Sequence, residues 1–134
     1  MANRRLFQFQ YSYERDLVDI YANVTIGAAG APTLQSNAKG VSSITRNSAG
    51  DYSIALTDNF NKLMSLRAVS QNATGIIAAG SIGIKTDSVN SATAPLVRVV
   101  FSGPTAAGNT ALIATDPAVG DIIRFHIVLR NAST

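Results

Sequence analysis

The chain carries a single histidine, eight carboxylates, eleven lysines and arginines, and no cysteine. That inventory leaves few kinds of chemistry open. Thiol catalysis, disulfides and cysteine–zinc sites are excluded outright. His126 could serve as a general base only beside a nucleophile and an orienting acid. It sits between Phe125 and Ile127 in the most regular apolar run, so it reads as a strand-face histidine satisfied by a hydrogen bond. The acids are Glu14, Asp16, Asp19, Asp51, Asp58, Asp87, Asp116 and Asp121. A glycosidase needs two of them flanking a cleft. Glu14 and Asp16 are close in sequence, but that spacing on one strand or turn is not diagnostic. Asp51, Asp116 and Asp121 flank strand starts or turns, where aspartate is favoured because its side chain bonds the local backbone. No calcium-loop spacing and no His–carboxylate cluster is present. The sequence assigns no catalytic, cofactor-binding or metal-binding residue, and neither an enzyme nor a cofactor is expected.

One group of residues stands apart. Phe7, Phe9, Tyr11 and Tyr13 alternate with Gln8, Gln10 and Ser12, so on a strand all four rings share a face. Such a stripe can be a core face with tyrosines at its wet edge. It can also be an assembly interface, since tyrosine and phenylalanine are enriched where subunits meet. Arg4 and Arg5 precede it and could pair with acids on a neighbour. Residues 1–5 are therefore a candidate N-terminal arm, and Arg4, Arg5, Phe7, Phe9, Tyr11 and Tyr13 a candidate assembly interface. Two Gly-x-x-Gly spacings, at Gly27/Gly30 and Gly80/Gly83, imitate a KH clamp loop, but that loop joins helices and none is expected here. Three Asn-x-Ser/Thr triplets, at Asn23, Asn72 and Asn131, read as incidental without a signal peptide.

The elements that must position these residues follow from length and pattern. The 134 residues fit one domain, 1–134, able to bury roughly two-thirds of its unfolded surface. Apolar residues make up 46%, while charged ones reach only 14% against the usual ~25%. Small neutral residues fill the gap, and they lose little rotamer entropy when two surfaces close. The +3 net charge is scattered, with Arg4–Arg5 the one doublet, so a nucleic-acid partner is not expected. The N-terminus has no apolar signal region, and no run approaches the ~20 apolar residues that span a bilayer. No membrane partner is expected.

Alternation with period two dominates. In residues 18–26 the even set Val18, Ile20, Ala22, Val24 and Ile26 is apolar, and the odd set Asp19, Tyr21, Asn23 and Thr25 mostly polar. Residues 122–129 are nearly continuous in apolar character, as in a central strand. Asn47-Ser48-Ala49-Gly50 suggests a hairpin turn, and Asp116-Pro117-Ala118-Val119-Gly120 a tight turn. Expected strands are 5–12, 18–26, 40–46, 51–57, 63–70, 75–85, 95–102, 110–115 and 121–130. Residues 58–63 look like a helical turn capped by Asp58, and residues 86–94 like the longest loop. The expected fold is all-β: a single-domain antiparallel β-sandwich or jelly roll of about eight or nine strands.

The run from Gly40 to Leu56, a strand ending in Arg46, a polar turn with Gly50, then Asp51-Tyr52-Ser53-Ile54-Ala55-Leu56, resembles a pattern in small tailed-bacteriophage virion proteins. Asp116-Pro117-Ala118-Val119-Gly120 and Leu129-Arg130-Asn131 belong to the same resemblance. It implies a capsid decoration (cement) protein, or another small head or fibre component. Such a protein is made in the host bacterial cytoplasm and located in the virion. Its implied partners are itself, as a homo-oligomer with a trimer favoured, and a major capsid protein. The competing expectation is a carbohydrate- or receptor-binding β-sandwich of a phage fibre, in which tyrosines would replace the missing tryptophan as the sugar platform.

Overall fold

In a computed structural model, which describes residues 17–72, 80–104 and 111–131, the chain is all-β. The strands are β1 (Leu17–Ile26), β2 (Pro32–Leu34), β3 (Val41–Ser48), β4 (Asp51–Leu56), β5 (Lys62–Gln71), β6 (Ser81–Ser88), β7 (Leu96–Pro104), β8 (Leu112–Ala114) and β9 (Ile122–Arg130). They form two antiparallel sheets. The first has the order β2-β1-β9-β5, and the second β3-β4-β7-β6, with β8 also on β7. β8 continues the line of β4 along β7. Phe101 marks the hand-over: its N–H donates to the Gly50 carbonyl and its carbonyl accepts from the Thr115 N–H.

The alternation read from the sequence places the core. Ile20, Ala22, Val24 and Ile26 of β1 and Ile123, Phe125, Ile127 and Leu129 of β9 point inward, against Tyr52, Ile54 and Leu56 of β4 and Val97, Val99 and Phe101 of β7. Tyr52 and Phe125 both meet Phe101 edge-on. Fully burying one such aliphatic chain stabilises by roughly 1.5–3 kcal/mol, so this seam carries much of the stability.

The pattern placed β1, β3, β4, β7 and β9 well. Four expectations need correction. Residues 58–63 form no helical turn; the Phe60 N–H donates to the Val89 carbonyl and the Asn61 N–H to the Arg130 carbonyl, so the backbone is spent on other segments. β6 runs from Ser81 to Ser88, which takes residues 86–88 out of the expected loop, while residues 75–79 of the expected strand lie outside the described residues. β8 is only Leu112–Ala114. β2 had not been expected. The segment before it makes a short 3-10 turn, Ala28–Gly30, with Ala29 and Gly30 both at positive φ, and delivers Pro32 back alongside Ile26. The expected strand 5–12 and the 1–5 arm lie outside the described residues, as do Glu14 and Asp16.

Candidate functional site

The outer face of the first sheet gathers side chains that sequence order keeps far apart. Register puts Tyr21 of β1 opposite His126 of β9, and His126 opposite Arg67 of β5. The next row on that face is Asn23, Arg124 and Val69. The Tyr21 and His126 rings stack, with centroids 4.6 Å apart and planes within 4°. His126 Nε2 lies 2.8 Å from Asp19 Oδ1. The carboxylate thus holds the imidazole, and the imidazole holds the tyrosine, in a pre-arranged stack. Tyr21 remains 65% exposed. Arg124 donates to the Gln71 amide oxygen at 2.6 Å. Arg67 has no hydrogen-bond or ion-pair partner among the described residues. Tyr21, Asn23, Arg67, Val69, Arg124 and His126 line a shallow concavity of about 540 Å³.

His126 therefore sits where a strand-face histidine was expected, with its hydrogen bond made. Among the described residues no serine or threonine hydroxyl bonds it, so the His126–Asp19 pair lacks the nucleophile of a Ser–His–acid arrangement. No three His, Asp or Glu side chains gather as a metal site among the described residues. No helix among them is long and apolar enough to cross a membrane.

The three aspartates read as turn residues behave differently from one another. Asp121 is fully buried and fits that reading: its carboxylate accepts from the Ala118 N–H at 2.9 Å, and also from Ser70 and Asn72. Asp51 does not, although it is only 3% exposed. It sits on the outer face of the second sheet and takes Arg98 Nε at 2.7 Å, Lys85 Nζ at 2.7 Å and Asn47 Nδ2 at 3.1 Å. The Arg98 hydrogen bonds, helped by Lys85 and Asn47, hold its carboxyl well below the usual range in spite of burial.

Asp116 joins three segments. Its Oδ1 accepts from the Gly50 N–H at 2.8 Å and from the Tyr52 hydroxyl at 2.9 Å, and Arg46 adds a forked pair. The Tyr52 oxygen is also 2.9 Å from the Gly30 carbonyl, so one phenolic proton serves two acceptors. Arg46, with Gly50 and Tyr52, keeps the Asp116 carboxyl below its ordinary value. Burial, then the bond to Asp116, pushes the Tyr52 phenol above its own. A Cβ on Gly30, whose φ is +74°, would fall 2.6 Å from Asp116 Cγ, so only glycine lets the chain pass here.

The candidate interface residues Arg4, Arg5, Phe7, Phe9, Tyr11 and Tyr13 lie outside the described residues. The exposed site on the first sheet was missed at the level of the sequence. Asp19, Tyr21 and Asn23 were visible as the polar set of one strand, but nothing in the chain order pairs them with residues of β9 and β5.

No protein-family model, no curated protein and no solved structure matches the chain.

Proposed function

We propose that the chain is a structural virion component, a capsid decoration protein that stabilises a phage head by binding the shell as a homo-oligomer. The observation that carries this reading is a pair of open strand edges on one side of the sandwich. β5 and β6 each have one strand neighbour among the described residues, β9 and β7 respectively. The two edges flank a slot of about 280 Å³, lined by Ala68, Val69 and Ser70 from one and Gly80, Ser81 and Ile82 from the other, with Phe101 at its base. Among the described residues no strand pairs with the outer side of β5, ten residues long, or of β6, eight residues long, and an edge of that kind attracts pairing. Subunit contacts cover both edges.

The resemblance to phage virion proteins gains physical coherence from Asp116. Two of the three stretches that carry it meet in space, because Arg46, Gly50 and Tyr52 of the hairpin all bond this residue. The pattern thus coincides with a joint of the fold.

The test is co-sedimentation of the full chain with phage shells that lack their decoration protein, read by electron microscopy. Saturable density at symmetry positions is expected. Removal of residues 1–5 should weaken assembly more than folding. A chain that never decorates a shell, or a truncation that lowers the melting temperature and leaves assembly intact, would contradict the proposal.

A further inference from the structure

We propose that the outer face of the β1–β9–β5 layer binds an acidic saccharide, with the sugar ring stacked on Tyr21 and the sugar carboxylate held by Arg67 and Arg124. The platform comes first. Tyr21 is stacked on one side by His126, and β2 pairs with β1 only from Val24 to Ile26, so no described strand lies beside the ring's other side. Tyr21 is 65% exposed, no other described ring stacks on it, and its orientation is fixed through His126 by Asp19. An aromatic ring held in this way presents a flat apolar surface to the C–H face of a pyranose at little entropic cost.

The charges come next. Arg67 and Arg124 are diagonal neighbours across β5 and β9, since Arg67 faces His126 and Arg124 faces Val69. Diagonal positions place Cβ atoms roughly 7–8 Å apart, within reach of a shared anion for two long side chains. The Arg67 guanidinium has no partner among the described residues. Arg124 spends a donor on Gln71 and retains the rest of its fork. Guanidinium forks match a carboxylate with two parallel hydrogen bonds. Lys62 and Arg130 also project on this face, against one described acid, Asp19, which is committed to His126.

The polar groups choose among anions. Asn23, Gln71 and Asp19 supply amide and carboxylate oxygens close to the platform, the acceptors that sugar hydroxyls need. A nucleic-acid strand brings one phosphate per nucleotide and calls for a continuous cationic track. Two guanidiniums line the concavity, and a carboxylate stands in the same cluster, which favours a ligand with an isolated charge and many hydroxyls. The concavity is of a size suited to one or two sugar rings.

The experiment titrates the full chain with a uronic-acid oligosaccharide, a neutral oligosaccharide of equal length, a sulfated one and a single-stranded oligonucleotide, read by calorimetry and tyrosine fluorescence. The uronate ligand is expected to bind, with a change in tyrosine emission, and the neutral one about tenfold or more weaker, the loss of one good charged contact. Tyr21→Ala and Arg67→Gln should each weaken uronate binding about tenfold, and Tyr21→Phe should retain it. Lys39→Gln, outside the site, should leave binding unchanged. Melting curves of each variant report folding separately. Tighter binding of the sulfated ligand than of the uronate would overturn the assignment to carboxylates. Equal affinity for neutral and acidic sugars, stronger binding of the oligonucleotide, or uronate binding that survives both Tyr21→Ala and Arg67→Gln would overturn the site.

Discussion

The two lateral sides of the sandwich are finished in opposite ways. On one side β2 packs against β3, and the segment before β2 is tied to the end of β3 through Gly30, Tyr52, Asp116 and Arg46. The edge strands there are β2, three residues long, and β3, eight residues long but tied at Arg46 to Asp116. On the other side β5 and β6 run for ten and eight residues, with a slot between them and no described strand beyond. A short or tied-down edge offers little to a second chain, whereas a long free edge is a template for one. On the proposed reading, the tied side holds the domain together and the side of β5 and β6 is where further copies add. Substitutions on the first should therefore cost stability, and substitutions on the second should cost assembly.

The largest expected effect is at the closed side. Asp116→Ala strips the acceptor from the Gly50 N–H, the Tyr52 hydroxyl and Arg46 together. It should destabilise by about 3 kcal/mol in denaturant unfolding, since several polar groups lose their partner at once. A loss below about 0.5 kcal/mol would show that the tie is decorative.

Acid should act at the same place. Asp116 and Asp51 both hold their carboxyls below the ordinary value when folded. The unfolded chain, with carboxyls near pH 4, therefore takes up protons first as pH falls. The stability these groups supply is full above that pH and is lost as pH drops through the lower folded values. Melting temperature should decline from about pH 5 to pH 2, and Asp116→Asn should flatten part of the decline. A flat profile in the parent chain would contradict the assignment.

The smallest effect on stability and the sharpest on assembly belong to the open side. A Cβ at Gly83 of β6 meets nothing within 4 Å. Gly83→Lys should leave the melting temperature within a few degrees, yet place a charge on the free edge, where lysine discourages pairing. Ile84→Lys, at a residue 50% exposed, should behave alike. Self-association measured by sedimentation should weaken about tenfold or more in each. Unchanged association in both would move the interface elsewhere.

Much of the fold was legible because period-two alternation is strong wherever one strand face meets the core. Ile20 to Ile26 show it plainly, and residues 122–129 were legible instead as a nearly continuous apolar run. β2 escaped because three residues cannot display a period, and its placement depends on positive φ at Ala29 and Gly30. Residues 58–63 carried a helix-start signal at Asp58 that long-range bonds from Phe60 and Asn61 overrode. The site was less legible than the fold. His126 could be placed on a strand face, but the Tyr21–His126–Arg67 row exists only through two strand registers spanning about a hundred residues of chain. Asp51 and Asp116 looked like turn aspartates from their neighbours in sequence, while their partners Arg98 and Arg46 lie 47 and 70 residues away.

The measurement that bears most directly on the central claim is the solution mass of the full chain across a concentration series, beside that of Gly83→Lys. A building block closed on one side and open on the other predicts a parent chain that reaches a defined multiple of its own mass, a trimer favoured, and a variant that stays monomeric at the same concentrations with its melting temperature intact. A parent chain that remains a monomer throughout the series, or a variant that assembles as the parent does, would contradict it.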